Sequence, residues 1–398
     1  MAATLEDIAA QVKFDILTKT QEKDNEKLLR EISRSFISLT ILVLIAPTKE
    51  MYAYAIRASL GDDVYNDPST EALEAHMAQL TGKEAALFVP SGTMSNQLAL
   101  RTHLKQPPYS VLCDHRAHIA RHEAGGAAFH SGAHLECVPP SNGHHLTVAD
   151  VKENVVTEMN IHYAPTEVIA LENTLNGTII PQEDIEAISE FAHSKGIKMH
   201  LDGARIWHVA VATTTPIKTL CDPFDSVSIC FSKGLGAPIG SCLVGSKEFI
   251  TKARWFRKLF GGGMRQTSFM AAAAAYALTH NFPLLPGVHA LTKKLENGLE
   301  GLGVTITSRA ETCMVFFDAS PIGVNYEEVV DRASKLPDPI DVGGSRLVVH
   351  IQTSPDAVED FLSLMRTLAQ EKRDAGFAPT QKKVNGLPNG NIYHKVRT

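Results

Sequence analysis

A lysine between small residues is the clearest candidate for covalent chemistry in this sequence. Lys233 lies in SKGLG (232–236), at the end of the apolar run SVSICFS. The glycines after Lys233 let another molecule approach closely, and a lysine in a desolvated pocket can lose its proton and form a Schiff base. A solvated surface lysine is the commoner case. The position of Lys233 therefore makes Schiff-base chemistry a hypothesis that needs a second group.

An aspartate at the end of the preceding apolar run could be that second group. Asp202 lies in HLDGAR (200–205), and an aspartate in such a position is often only a turn residue or a helix cap. A buried carboxylate can also keep a pyridine nitrogen protonated, which pyridoxal phosphate requires to store carbanion charge. Asp202 and Lys233 together fit pyridoxal phosphate as a cofactor.

Two further segments could contact such a cofactor. PSGTMSN (90–96) follows an apolar run, and a helix that begins there would attract a phosphate, although a plain N-cap explains the residues equally well. The fingerprints of nucleoside triphosphate and dinucleotide sites are absent from the sequence. DHRAHIARHEAGG (114–126) holds three histidines without the spacing of a metal site, so we expect no metal. One histidine, His118, could stack on a flat cofactor ring.

The elements that must position these residues alternate between strand and helix. Most of the apolar runs lack polar alternation, as strands covered on both faces do; they span 110–114, 134–138, 167–173, 197–203, 226–232 and 240–245. Helical stretches such as 182–195 and 247–260 lie between or after them. The pattern predicts an α/β fold, with a three-layer large domain over 50–285 built on a mostly parallel sheet.

The two ends of the chain have a different character. Residues 286–371 predict a smaller α+β C-terminal domain, and 372–398 predict a mobile tail with little apolar periodicity. Residues 1–49 form an N-terminal extension that includes the apolar segment FISLTILVLIA (36–46). This segment is shorter than the roughly 20 residues of a membrane-spanning helix, so we interpret it as a buried strand or short helix.

Composition excludes several classes of partner. The 398 residues are 44% hydrophobic and 21% charged, and the formal charge of -6 provides no positive field for nucleic acid. The six cysteines have neither zinc-site nor disulfide-framework spacing. The N-terminal residues are too acidic for a mitochondrial transit peptide, and the apolar segment comes too late for a signal peptide. We expect a cytoplasmic protein with no nucleic-acid or membrane partner.

Seven motifs occur in the order seen in the L-threonine aldolase family, which the chain resembles from residue 46 to residue 352. They are GDDVYNDPSTEALE, SGTMSNQLAL, HIARHEAGG, LENTLNGTIIP, HLDGARIW, SKGLGAPIGS and RKLFGGGMRQ. The resemblance implies a pyridoxal-phosphate enzyme with the aspartate-aminotransferase-like fold. It also implies retro-aldol cleavage of a small-molecule substrate, a β-hydroxy-α-amino acid such as threonine or allo-threonine, to glycine and an aldehyde.

The same resemblance implies roles for individual residues. Lys233 corresponds to the Schiff-base lysine and Asp202 to the partner of the pyridinium nitrogen. Gly92 and Thr93 resemble the phosphate-binding pair. His118 resembles the histidine that stacks on the ring and is a candidate to hold the catalytic water.

Further residues are assigned to the substrate and to a neighbouring subunit. By resemblance, His162 is a second active-site histidine, Arg205 lies near cofactor and substrate, and Arg346 binds the substrate carboxylate. Lys258, assigned to the substrate, and Arg265, assigned to the cofactor, flank the loop 261–263. In the family this loop reaches a neighbouring subunit's site, so a homodimer or homotetramer is implied.

Two departures from the family pattern leave alternatives open. Leu175 stands where the family usually has a histidine, and the apolar segment 36–46 replaces or splits a Ser-Asp-Thr segment whose serine contacts substrate. We therefore expect intact cofactor binding with weakened or absent threonine cleavage. An amino-acid racemase, a β-eliminating lyase and a cofactor-binding pseudoenzyme remain alternatives, because fold does not decide between reactions of one carbanion.

Overall fold

The structure is a computed structural model that describes residues 25–36, 45–158 and 160–378, with the side chains of 25–28 excepted. Its helices are α1 (Asn25–Ser33), α2 (Lys49–Ala55), α3 (Pro68–Thr81), α4 (Gly92–His103), α5 (His118–Arg121), α6 (Gly126–Ser131), α7 (Val148–Asn154), α8 (Gln182–Ser194), α9 (Ile206–Thr213), α10 (Ile217–Cys221), α11 (Lys247–Leu259), α12 (Ser268–His280), α13 (Leu285–Gly301), α14 (Tyr326–Ser334) and α15 (Pro355–Asp374). Its strands are β1 (Ala85–Val89), β2 (Ser110–Asp114), β3 (His134–Val138), β4 (Thr166–Glu172), β5 (Lys198–Gly203), β6 (Ser226–Cys230), β7 (Ser241–Gly245), β8 (Thr305–Ser308), β9 (Met314–Asp318) and β10 (Arg346–Val348).

Seven strands form one sheet in the order β1-β7-β6-β5-β4-β2-β3. The pairs from β6 to β3 are all parallel. Strand β7 is antiparallel to both of its neighbours, β1 and β6. The short connection 231–240 carries no helix, and parallel neighbours need a longer crossover than that. The predicted α/β fold with a mostly parallel sheet is confirmed.

Both faces of this sheet are buried along most of its strands, and the edge strand β3 is partly exposed. In β1, Ala86 and Phe88 belong to one core cluster, whereas Leu87 and Val89 belong to another. Successive side chains of a strand point to opposite faces, so a strand covered by helices on both sides must be apolar at nearly every position. This burial explains why the apolar runs lack polar alternation.

A second, antiparallel sheet has the order β10-β9-β8 and lies in a separate core with residues of α13, α14 and α15. Phe36, from the predicted N-terminal extension, is part of that core. Its N–H donates to the Asp341 carbonyl at 2.9 Å, and its carbonyl accepts from Val348 at 3.1 Å. The segment around Phe36 therefore packs with the C-terminal elements, and α15 extends three residues past the predicted end at 371, to Asp374.

Several sequence predictions fall on parts of the chain that the structure does not describe. Residues 37–44 of the apolar segment 36–46 lie outside the described residues, as do 1–24 and most of the predicted tail, from 379 onward. The burial of that apolar segment stays a prediction, and so do the domain limits. In the part of the chain that is described, no helix is both long and apolar enough to cross a bilayer.

Phe36→Ala is expected to lower the free energy of unfolding by about 3–5 kcal/mol, the usual effect of deleting a buried aromatic ring. Phe36 is 0% exposed, and its ring centroid lies 5.6 Å from that of Phe361. Chemical denaturation followed by circular dichroism measures the change. Leu29→Ala is the control, because Leu29 is 45% exposed and its loss should matter by less than about 0.5 kcal/mol. Equal midpoints for Phe36→Ala and wild type would contradict this packing.

Candidate active site

The carboxyl ends of the parallel strands bring the candidate residues to one edge of the large sheet. Glu172 ends β4, Asp202 lies near the end of β5, and Lys233 follows the end of β6. Glu172 and Asp202 are register partners on neighbouring strands. Open α/β sheets bind their ligands at this edge. Strand order and direction therefore bring Asp202 and Lys233 together, although they are distant in sequence.

Asp202 is a buried, ionised carboxylate. Its Oδ2 accepts from Asn96 Nδ2 at 2.7 Å, and its Oδ1 accepts from the Ala204 N–H at 3.0 Å. Burial acts to raise the pKa of Asp202, but the positive charges of Lys233 and His118 and the bond from Asn96 outweigh it and hold the pKa below its ordinary value. An anion at this position can hold a protonated ring nitrogen.

His118 forms a dyad with a second buried acid, Glu123. The His118 Nδ1 lies 2.7 Å from Glu123 Oε1, and the Glu123 side chain is fully buried. Burial acts to lower the pKa of His118, but the hydrogen bond to Glu123 and the charge of Asp202 outweigh it, so the pKa is raised. Because Nδ1 is directed at a carboxylate, Nε2 is the nitrogen that can exchange a proton at the site.

Sequence reasoning missed four residues of this site: Glu123, Glu172, Asn96 and, beside His118, His122. Glu172 Oε2 accepts from the His118 backbone N–H at 2.7 Å. Burial, and next the negative charge of Asp202, raise the pKa of Glu172 to about 8. All of them lie inside the family motifs quoted above, and their polar side chains within those motifs were the signal that could have identified them.

Lys233 lines a cleft between the large sheet and the C-terminal elements. The cleft has about 490 Å³ of empty space, part of it open to solvent, and its lining includes Lys233, Arg205, His208, Cys313, Val349 and Ile45. Among the described residues, no side chain or carbonyl accepts a hydrogen bond from the Lys233 amine. That amine is therefore available to react with a carbonyl compound.

The predicted phosphate turn forms the start of α4. Ser91 is its N-cap, with a hydroxyl that accepts from the Met94 N–H at 3.1 Å. The N–H groups of Gly92 and Thr93 lie in the first turn, where the helix provides no carbonyl to accept from them, and with the helix dipole they favour an anion. A Cβ atom on Gly92 would lie 2.7 Å from Cys230 Sγ, so only glycine fits there. The N-cap and the anion site are thus compatible.

Two arginines reach the same space. Arg205 precedes α9 and lines the cleft. Arg346 begins β10, and desolvation together with the positive charges of His118 and Arg346 lowers the pKa of His122. The rings of His118 and His122 lie 5.6 Å apart between centroids. The site therefore combines His118, His122 and both arginines.

His162 does not lie at this cleft within the chain, and its assignment as an active-site histidine stays a prediction. It is exposed on the loop before β4, whereas the site lies at the other end of that strand, beyond Glu172. Seven strand residues separate the two ends by roughly 20 Å. Within the described chain, His122 is the histidine that the structure places beside His118.

Lys258 and Arg265 do not line the cleft either. Lys258 is exposed near the end of α11. The side chain of Arg265 is 60% exposed and pairs with Asp62 at 3.1 Å. Their assignment concerns a neighbouring subunit and stays a prediction.

One group of side chains has the spacing of a metal site. The ligand atoms of His118, Glu123 and Asp202 lie within 4.8 Å of one another. These atoms already bond to each other or to Asn96, which donates to both carboxylates. The expectation that the protein needs no metal stays a prediction.

Comparison with known proteins identifies the family of this chain. Residues 44–321 match the family model described as beta-eliminating lyase. Over 79% of its length the chain is 46% identical to the low-specificity L-threonine aldolase of Candida albicans, covering 85% of that protein. The chain belongs to the L-threonine aldolase family. This family member is also 44% identical, over 79% of its length, to the low-specificity L-threonine aldolase of Saccharomyces cerevisiae, covering 81% of that protein.

More distant relatives of this threonine aldolase family member show a second reaction and the common fold. It is 34% identical, over 82% of its length, to the alanine racemase TOXG of Cochliobolus carbonum, covering 86% of that protein. The solved structure of Leishmania major threonine aldolase superimposes with a TM-score of 0.70 at 18% identity, with 84% of this chain and 99% of that chain covered. At that identity the likeness concerns the fold.

In this threonine aldolase family member, Glu123→Gln is expected to lower the pKa of His118, because the anionic acceptor of its Nδ1–H is lost. A raised folded-state pKa stabilises the protein below the unfolded pKa of about 6.5, and this stabilisation is lost as pH rises through the folded value. Histidine NMR titration and unfolding between pH 5 and 9 should therefore both change in the variant. Glu190→Gln, at an exposed position, is the control. An unshifted His118 titration would disprove the dyad.

Proposed function

We propose that this protein is a pyridoxal-phosphate-dependent lyase that cleaves threonine, allo-threonine and related β-hydroxy-α-amino acids to glycine and an aldehyde. One observation carries the proposal: the Lys233 amine at the cleft is available, and it is close enough for its charge to act on the buried, ionised Asp202. The low-specificity L-threonine aldolases among the relatives supply the reaction type.

The residues present fit pyridoxal phosphate. Lys233 would hold it covalently, Asp202 would hold its protonated ring nitrogen, and the N–H groups of Gly92 and Thr93 would hold the phosphate. His118 would lie against its ring. When bound, this cofactor supplies an acceptor for the electron pair of the broken Cα–Cβ bond. The ionisation of Asp202 is the property of this chain that makes such an acceptor effective.

The remaining residues would bind the substrate and move its proton. Arg346, with Arg205 near it, would bind the substrate carboxylate through a bidentate guanidinium and so orient the bond to be cleaved. The His118 Nε2 would take the β-hydroxyl proton, directly or through a water molecule. Glu123, bonded to Nδ1 at 2.7 Å, would stabilise the imidazolium that results. His122 and Glu172 are further titratable groups near His118.

The decisive experiment compares three reactions of the purified protein loaded with pyridoxal phosphate. Release of acetaldehyde and glycine from threonine supports the proposal. Racemisation of alanine without acetaldehyde release would instead support the activity of the TOXG relative. A β-elimination product from serine would support the second alternative, and cofactor binding with none of these reactions would identify a pseudoenzyme.

A homodimer or homotetramer also belongs to this proposal. Its support is the position of Lys258 and Arg265 on either side of the loop 261–263, with Lys258 exposed and the Arg265 side chain 60% exposed. A neighbouring subunit would receive this loop at its own site. Light scattering coupled to size-exclusion chromatography should give twice or four times the 43.2 kDa chain mass. A monomer would remove the role of both residues.

Placing Ser-Asp-Thr within residues 37–44 is expected to raise kcat/KM for threonine about tenfold or more, the contribution of one hydrogen bond to a charged group. Ile45, directly after this stretch, already lines the cleft with Lys233. Cofactor affinity should stay the same, because the cofactor residues all lie after residue 90. Placing Ala-Ala-Ala at the same positions is the control. Equal activity of both replacements and wild type would show that these residues do not contact substrate.

A further inference from the structure

A chain of buried hydrogen bonds leads from the two site carboxylates into the large sheet. Asn96 Nδ2 donates to Asp202 at 2.7 Å and to Glu123 at 2.8 Å. Asn96 Oδ1 lies 3.1 Å from His200 Nε2, and His200 Nδ1 lies 2.9 Å from Ser226 Oγ. Asn96 and His200 are each 1% exposed, and Ser226 is 0% exposed. Neither His200 nor Ser226 has a role in the reaction proposed above.

Chemistry fixes the direction of every bond in this chain. Ionised carboxylates only accept, so the amide of Asn96 must present its NH₂ group to Asp202 and Glu123 and its oxygen to His200. His200 Nε2 must then carry a hydrogen and donate it. In a neutral ring Nδ1 accepts, and the Ser226 hydroxyl is its donor.

The chain continues one step further to His103. Its Nε2 lies 2.7 Å from Ser226 Oγ, whose single hydrogen is already donated to His200, so His103 donates to Ser226. Burial lowers the pKa of His200 to about 4 and, with the charge of His200 as a second cause, that of His103 to about 3. Both rings are therefore neutral near pH 7, each with its hydrogen on Nε2.

The alternative arrangement is unfavourable at two places. If His200 carried its hydrogen on Nδ1, its bare Nε2 would face the oxygen of Asn96. If the amide of Asn96 then flipped, its oxygen would face the two carboxylates, and its NH₂ group could no longer donate to them. Buried polar groups left without a matching partner are strongly unfavourable. One amide orientation thus holds both Asp202 and Glu123.

We propose that His200 is a positioning residue of this enzyme, which fixes the amide of Asn96 so that it holds the carboxylate facing the cofactor and the carboxylate facing His118. Ser226 and His103 set the tautomer of His200. The expected change in kcat rests on the proposed function, whereas the expected tautomer of His200 and the expected cofactor affinity do not. The proposal explains why a neutral histidine is buried two residues before Asp202 on β5.

Two variants test this role. His200→Phe removes the donor to Asn96 and keeps an aromatic ring, whereas Ser226→Ala removes only the hydroxyl that sets the tautomer. His200→Gln retains an N–H that can reach Asn96, and it tests rescue. Ser131→Ala is the control, because Ser131 is a buried serine whose hydroxyl has no hydrogen-bond partner among the described residues.

Three measurements are expected to change together. Nitrogen-15 NMR of the cofactor-free protein should show the Nε2–H tautomer of His200 in wild type and a mixture in Ser226→Ala. The dissociation constant for pyridoxal phosphate should rise about tenfold in His200→Phe. The kcat for threonine should fall about 10²-fold in His200→Phe with KM within threefold, as for a small misplacement of catalytic groups, and His200→Gln should recover part of it. Ser131→Ala should match wild type.

The outcomes separate this proposal from the proposed function. Wild-type cofactor affinity in folded His200→Phe, or an unchanged His200 tautomer in Ser226→Ala, would overturn the positioning role. A wild-type enzyme without threonine cleavage would overturn the proposed function alone, because tautomer and cofactor affinity are measured without turnover. If His200→Phe fails to fold, Ser226→Ala decides through the tautomer of His200, and an unchanged tautomer overturns the role.

Discussion

Lys233→Ala is expected to abolish covalent attachment of pyridoxal phosphate and to lower threonine cleavage by a factor of about 10³ or more. The reason is that Lys233 is the cleft residue whose amine has no hydrogen-bond acceptor among the described residues and whose charge acts on Asp202. An amine at this position is needed to exchange the cofactor between protein and substrate.

Absorption spectroscopy with borohydride treatment measures the attachment. Wild type should show a visible band that borohydride removes, with the cofactor then fixed to the peptide that contains Lys233. Lys195→Ala, at an exposed position in the described chain, is the control and should keep the band. A borohydride-sensitive band that persists in Lys233→Ala would show that another lysine holds the cofactor.

Asp202→Asn is expected to fold normally yet lose most of its activity. Removing one member of a buried ion pair costs on the order of 3–5 kcal/mol, which corresponds to a rate loss of about 10²- to 10⁴-fold. The amide can still accept a hydrogen bond from Asn96, but it cannot stabilise a positive charge on a ring nitrogen.

Steady-state kinetics with circular dichroism test this effect. Asp222→Asn makes the same substitution at an exposed aspartate and should leave turnover unchanged. Near-normal turnover in Asp202→Asn, with its fold intact, would refute the role assigned to Asp202. A spectrum of the bound cofactor that no longer matches wild type would be the accompanying sign of a changed ring nitrogen.

Local features of the sequence determined much of the fold. Unbroken apolar runs predicted strands buried on both faces, and the structure places helices or strands within a few residues of the predicted limits, as for α8 and α11. The small residues around Lys233 and the polar end of the run before Asp202 indicated a cofactor lysine and its acid. The tendency of a residue to be buried depends on its own hydropathy. These features can therefore be recognised in the sequence before it is known which elements pack together.

The tertiary structure decided which residues share the site. The resemblance singled out His162, but the direction of β4 puts it at the opposite end of that strand from Glu172, whereas the segment after β2 puts His122 beside His118. Likewise, burial in the sheet and, next, the negative charge of Asp202, its partner on the neighbouring strand, raise the pKa of Glu172.

Phe36 shows the same limit for the core. Its hydropathy predicted burial, but its partners, Phe361 and the backbone of Asp341 and Val348, come from the far end of the chain. The sequence by itself thus determined which residues are apolar, which could react and which family the chain resembles. Strand order, strand direction and long-range packing determined which of these residues meet. All three depend on contacts between segments that are far apart in the chain, so no local sequence pattern reveals them.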